Sequence, residues 1–365
     1  MIVLMTMTKG LFILSVLFCF ISCSKEGKQQ LTEVERKAAV TFMVSTNGLG
    51  DNGYNDDVSK GIFGFAKNTG ITLRLLLPDD MTQAGQMFSQ WLADNAEKDS
   101  AVLILGSSAY ENMARQVSES DKERLLSIQK RGGRVLLFES NAQIDGISTV
   151  MVSHYGVSWL AGAMSQGFDV LILAAATNIP ALEESIAGFS QARSVYAGSY
   201  YGHECQTHLH YLSNNESGFA MPDSAYRYIA ERAENTSYYD EMIFPLLGGS
   251  QTGVMRCLND DKFTMALMIG MDVDQTGQST RIPFSVVIHI GDVIKRYLND
   301  WLAGVAWPTN KRMGMNDDAA DIVITPNFRS NLDIWDNRYV DPDTFLELYR
   351  QYKEEAVRKE LEYEK

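Results

Sequence analysis

Short apolar runs, broken by glycines and polar turns, alternate along the chain with segments whose apolar residues fall three or four apart. The runs at 39–44, 71–77, 101–106, 135–138, 149–153, 170–175, 207–212, 242–247, 264–269, 284–290 and 322–325 predict strands. Helical spacing predicts helices over 58–67, 82–97, 111–117, 122–130, 159–166, 181–194, 224–233, 251–258, 292–302 and 344–365. The last of these is charged and places Phe345, Leu348, Tyr349 and Tyr352 on one face. Most strand runs are apolar without alternation, as strands covered on both faces should be. Regular alternation of strand and helix predicts parallel sheets joined by right-handed crossovers. More than about ten strands is too many for one such sheet. The predicted fold class is therefore α/β, with two doubly wound parallel-sheet lobes and a ligand cleft between them.

The first residues stand outside this pattern. Lys9 precedes an apolar run at 11–21, which has the length of a signal peptide and is too short to span a membrane. Phe20-Ile21-Ser22-Cys23 resembles the lipobox of bacterial lipoproteins, in which the cysteine becomes the lipidated N-terminus. Cys23 is thus the predicted lipidation site; the alternative is an ordinary secretory signal. Residues 1–22 read as signal and 23–37 as a polar tether without apolar periodicity.

About 340 residues remain after the signal, enough for two cores. The 365-residue chain has a formal net charge of −14, and removing Lys9 with the signal makes it −15. Such a balance offers no basic patch for nucleic acid. Cys19 leaves with the signal, so Cys205 and Cys257 are left either to pair or to stay as buried thiols.

Four loops follow predicted strands, where open α/β sheets bind ligands. The first, 48–57, holds Asp51, Asn52, Tyr54, Asn55, Asp56 and Asp57. Its carboxylates would repel a phosphate but suit hydroxyl and N–H donors, and Tyr54 offers a ring for stacking. Asp56 and Asp57 read equally well as helix caps. The second loop, 106–111, carries Ser107 and, at a helix start, Glu111. The third, 247–253, turns through Gly248 and Gly249 and offers backbone donors. The fourth, 269–275, places Asp272 directly after a strand, where a carboxylate fits vicinal hydroxyls, and Asp274 reads as a second acceptor or a cap.

Together these loops resemble those of the basic-membrane-protein or PnrA-like purine-nucleoside-binding lipoproteins, the solute-binding components of ABC transporters. Asp51-Asn52-Gly53-Tyr54-Asn55 stands where that family shows D-K-S-F-N. Gly248 to Gly253 matches its G-G-T-G-x-G turn, and Gly270-Met271-Asp272-Val273-Asp274-Gln275 matches its G-V-D-x-D-Q. The resemblance implies a type I periplasmic-binding-protein-like fold, no cofactor, no enzymatic step, an ABC permease as partner and an extracytoplasmic, lipid-anchored location. It also implies Asp272 on ribose hydroxyls, Glu111 facing a base, and Phe219 as one stacking ring. The chain departs from the family at Ile288-His289, where a Lys-Arg pair is usual, and at Ser59-Lys60, where an aromatic is usual. A sugar therefore remains the alternative to a nucleoside.

The resemblance further implies a discontinuous first lobe of 38–145 plus 280–320, because the run at 284–290 takes the place of the family's crossover strand. The second lobe would be 146–279 plus 321–365, the latter including the C-terminal helix. One constellation points to another class. His203, Cys205, His208 and His210 gather imidazoles and a thiol in one stretch, a weak candidate zinc set for a metal-dependent surface hydrolase. The spacing is not H-E-x-x-H, no G-x-S-x-G is present, and the isolated His154 and His289 read as structural.

Overall fold

The computed structural model describes residues 39–46, 48–50, 54–200, 203–234, 241–260, 266–325 and 342–364. The signal, Cys23 and the tether lie outside them.

The chain opens with β1 (Ala39–Met43), α1 (Tyr54–Thr69), β2 (Thr72–Leu76) and α2 (Met81–Asn95). β3 (Ala101–Leu105), the short α3 (Glu111–Arg115), α4 (Glu119–Lys130), β4 (Arg134–Phe138) and β5 (Ser148–Val152) follow. These strands are parallel, in the spatial order β2-β1-β3-β4-β5. The chain then leaves the sheet through Ser153-His154 into α5 (Tyr155–Met164), β6 (Val170–Ala174) and α6 (Pro180–Tyr196). A hairpin of β7 (Ser199–Tyr200) and β8 (His203–Glu204) leads to β9 (Thr207–Tyr211) and α7 (Pro222–Glu234). β10 (Met242–Leu246), α8 (Gln251–Leu258), β11 (Leu267–Met268) and β12 (Phe284–Ile288) come next. The second sheet runs β9-β6-β10-β11, and Gly270 bridges it in parallel to Ser285 of β12.

Two further crossings close the molecule. α9 (Ile290–Leu302) packs on α1, and β13 (Asn310–Met313) pairs in parallel with β5 at the edge of the first sheet. β14 (Ala320–Ile324) returns to pair antiparallel with β12, and α10 (Pro342–Tyr363) packs on α5. Both sheets thus repeat one winding, in which the second strand lies outside the first and the chain then reverses direction across the sheet.

The placement of two strands corrects the expected division. The strand expected at 149–153 in the second lobe is β5 and pairs with β4 of the first sheet. The run at 284–290, expected in the first lobe, is β12 and continues the second sheet through Gly270 and β14. An apolar run signals a buried strand, but its partner is set by contacts far away in sequence.

The strands are covered on both faces, so alternate residues enter different cores. Val102 and Ile104 of β3 face α1 and α9, with Val58, Ile62, Val293 and Leu298. Leu103 and Leu105 face α2 and α4, with Phe88, Leu92, Leu125 and Ile128. β6 divides in the same way, Val170 and Ile172 to one core, Leu171 and Leu173 to another. Each such side chain contributes about 1.5–3 kcal/mol by leaving water. β2 and β9, the outer strands, are largely exposed.

Backbones come closest where α1 meets α9. A Cβ on Gly61 would stand 2.2 Å from the Gly291 carbonyl oxygen, so no larger residue fits there. Asp57 Oδ2 accepts the Gly291 N–H at 2.8 Å across the same seam. Burial pushes the Asp57 carboxyl up, partly offset by that bond.

Candidate ligand-binding cleft

The carboxyl ends of both sheets carry the loops singled out in the sequence, and hydrogen bonds knit the first-lobe loops into one wall. The Gly106 N–H donates to the Met43 carbonyl at 3.0 Å, and the buried Tyr110 hydroxyl donates to the Val44 carbonyl. Ser107 Oγ accepts the Ala109 N–H at 3.2 Å and so caps the turn that follows β3. Glu111 is held by Arg115 Nε at 2.8 Å and by the Ser140 hydroxyl at 2.8 Å. It stands on the rim as a brace between the loops after β3 and β4.

The opening loop is closed by Asp56, whose Oδ1 accepts the Gly50 N–H at 2.8 Å. With Asp57 on Gly291, the two carboxylates that read as caps or ligands both serve backbone N–H groups. Asn55 is buried in the first turn of α1, and Tyr54 begins that helix. Asp51 and Asn52 lie outside the described residues.

On the second lobe, Phe219 follows Gly218 in the loop after β9, and its ring lies against Gly248, where a Cβ would approach it to 3.0 Å. Ser250 Oγ donates to the Gly218 carbonyl at 2.7 Å and fixes that loop to the turn after β10. Gly248 has φ +50° and Gly249 packs under the Phe219 carbonyl. The fourth loop is braced more tightly still. Gln275 Oε1 accepts the Met271 N–H at 3.2 Å and a Gln251 Nε2 hydrogen, while the Gln275 N–H donates to Ser285 Oγ at 3.0 Å. Asp274 accepts both the N–H and the hydroxyl of Thr276, so it caps the next turn. Asp272 is left at the tip, half-buried, with φ +68°.

Sequence reasoning missed Glu139 on the other lobe. Glu139 follows β4 directly and also has a left-handed backbone, φ +51°. Its side chain is 9% exposed, and neither carboxylate oxygen has a hydrogen-bond partner among the described residues. Non-glycine residues rarely adopt this conformation, and such strain collects at functional sites. His154, at the crossing between the sheets, stands 3.5 Å from Glu139 and also feels the charges of Glu184 and Asp272. The signal was present in the sequence, since Phe138-Glu139 follows the same pattern that selected Asp272: an acid directly after a buried strand.

Behind His154 lies a charged brace. Arg312 of β13 bonds Glu184 of α6 through both terminal nitrogens, Glu364 at 2.6 Å and Ser153 Oγ at 3.1 Å. Its neighbours' carboxylates outweigh burial and hold the guanidinium pKa above its usual value.

The histidine-rich stretch lies elsewhere, on β8 and the edge strand β9. His208 is exposed, His210 stacks on Tyr228 at 3.7 Å between ring centroids, and burial pushes the His210 imidazole down. Cys205 and Cys257 are buried thiols not joined in a disulfide, and burial pushes Cys257 up to about 12. Among the described residues no three His, Cys, Asp or Glu side chains converge to hold a metal ion. A groove of about 560 Å3 lies near this stretch, lined by Arg193, Glu204, Cys205, Thr207 and Leu209, away from the strand ends. Its Arg193 is engaged by Thr207 and by the Ser165 and Phe168 carbonyls.

Two doubly wound parallel sheets, joined by three crossings and facing each other with the carboxyl ends of their strands, define a type I periplasmic-binding-protein-like fold. Known structures agree. The chain is similar to solute-binding proteins of an ABC transporter system from Aeropyrum pernix K1, with TM-score 0.63 and 13% identity over 89% of this chain and 90% of that one. It is similar also to a transcriptional activator of the comK gene from Bacillus halodurans, with TM-score 0.61 and 13% identity over 86% and 95%. A periplasmic solute-binding protein from Actinobacillus succinogenes 130z with bound D-allose gives TM-score 0.59 and 11% identity over 80% and 100%. No protein-family model and no curated protein matches the sequence. At these identities the likeness is one of fold, and one neighbour is described as a transcriptional activator rather than a transport component. Function must therefore be argued from the cleft.

Proposed function

We propose that this protein is the solute receptor of an ABC transporter, anchored outside the cytoplasm by lipid on Cys23, and that it closes its lobes on a small polyhydroxylated ligand. The observation that carries this reading is the pair Glu139 and Asp272. They are acids in left-handed backbone, Glu139 directly after β4 and Asp272 in the loop after β11 of the other lobe, and no hydrogen bond reaches the buried Glu139 oxygens among the described residues. A ligand hydroxyl or N–H would give the buried Glu139 oxygens the hydrogen bond that no described residue supplies. Phe219 supplies an apolar face beside Gly248, which suits either a nucleobase or the C–H face of a sugar. The fold neighbours described with D-allose and with D-arabinose make a sugar as reasonable as a nucleoside. No covalent step is needed; a permease would take the ligand from the closed lobes.

The test is a thermal-shift screen of nucleosides and monosaccharides. A compound that binds only the folded state raises the melting temperature by mass action. A response confined to one panel assigns the ligand class. Failure of every compound in both panels at millimolar concentration would overturn the reading.

A further inference from the structure

The first crossing between the sheets carries a buried imidazole, and charged groups from both lobes face it. His154 is 8% exposed, and its Nε2 lies 3.5 Å from Glu139 Oε2, an ion-pair contact at the outer limit of hydrogen bonding. Neither that nitrogen nor either Glu139 oxygen has a hydrogen-bond partner among the described residues. A buried carboxylate without donors is tolerated beside a cation and strongly disfavoured beside a neutral group. From the second lobe, Glu184 on α6 accepts the His154 backbone N–H at 3.3 Å, and Asp272 after β11 acts on the imidazole through its charge. β13 contributes Arg312, already bonded to Glu184, and α10 contributes Glu364 on Arg312 and the buried Glu360, which faces Ser153, Gly156 and Met315.

We propose that protonated His154 is a latch between the lobes: the imidazolium holds Glu139 of the first sheet while the His154 backbone is tied to Glu184 of the second lobe, and loss of the proton releases Glu139. The direction of titration agrees. Burial pushes the imidazole down, but the Glu139, Glu184 and Asp272 carboxylates outweigh it and hold His154 above the ordinary histidine value of about 6.5. A histidine raised in the folded state adds stability that is complete below its unfolded pKa and lost as pH rises through the folded one. The latch is therefore engaged at lower pH and released at higher pH. It rests on the reading of the cleft only for its consequence, that solute is held more tightly at lower pH; its test needs no solute.

Two measurements on the full protein without ligand decide it. Imidazole NMR of the wild type should give a His154 midpoint above 6.5, and Glu139→Gln should lower that midpoint. Small-angle scattering should show a radius of gyration that increases as pH rises through the wild-type midpoint, with a flat profile for His154→Gln. If His154→Gln does not fold, Glu139→Gln supplies the same comparison through both readouts. A midpoint at or below 6.5, a midpoint unmoved by Glu139→Gln, or a radius constant through the titration would overturn the proposal. A negative ligand screen would leave all three results readable.

Discussion

Arg312 grips Glu184 at both ends of its carboxylate, at 3.0 and 2.7 Å, and in doing so ties the edge strand of the first sheet to a helix of the second lobe. Both side chains are largely buried, 19% and 10% exposed. Arg312→Ala should destabilise the protein by about 3–5 kcal/mol, because it strands the Glu184 charge away from water. The double change to Met at 312 and 184 should recover much of that loss. Chemical denaturation of the three proteins checks this; equal losses in the single and double variants would show that the charge pair is not what matters.

Asp272 sits in left-handed backbone, which Asp and Asn tolerate better than Ala. Asp272→Asn therefore removes the charge while leaving the turn intact. Hydrogen bonds to a charged acceptor are worth about 1.5–3 kcal/mol each. Affinity for a diol-bearing ligand from the screen should fall at least tenfold, about 1.4 kcal/mol, with little change in melting temperature. Calorimetry that finds unchanged affinity would remove Asp272 from the site.

Glu139 combines strain with unmet hydrogen-bonding capacity. Glu139→Gly should relieve left-handed strain of about 1–3 kcal/mol but leave the buried His154 without its counter-charge, while abolishing ligand binding. Loss of the ligand response is the expected outcome, with the relieved strain offsetting only part of the lost pairing with His154. Retained binding in this variant would contradict its place in the cleft.

The proposed lipid anchor has its own test. Cys23→Ser should abolish lipid attachment and move the protein to the aqueous phase in a detergent partition. Persistence in the detergent phase would call for another anchor.

Much of this architecture was legible in the chain because central strands are buried on both faces. Val102 to Leu105, Val170 to Ala174 and Met242 to Leu246 announce themselves as apolar runs. β13 did not, since Asn310-Lys311-Arg312-Met313 has no such run; it becomes a strand through pairing with β5. The assignment of β5 and β12 to lobes failed for a related reason: partners are chosen by contacts distant in sequence. In the cleft, residue types after strands pointed to Asp272, Glu111 and the glycine turns as candidates. What sequence did not reveal was occupancy. Asp56, Asp57, Asp274 and Glu111 are all hydrogen-bonded by the protein's own donors, whereas Glu139, unremarked in the sequence, has only the ion-pair contact with His154 among the described residues.

The seam where Asp57 meets Gly291 joins positions 234 residues apart. During synthesis, the apolar face of α1, with Val58, Ile62 and Phe65, and the outer edge of β5 therefore emerge long before α9 and β13 arrive to cover them. Closing so long a loop is slow because its entropy is lost before the contact forms. The first lobe accordingly begins folding first and finishes only after the second lobe's strands β6 to β12 have been made. A nascent chain in that interval presents an open sheet edge and an uncovered helix face, which makes it a substrate for holding chaperones.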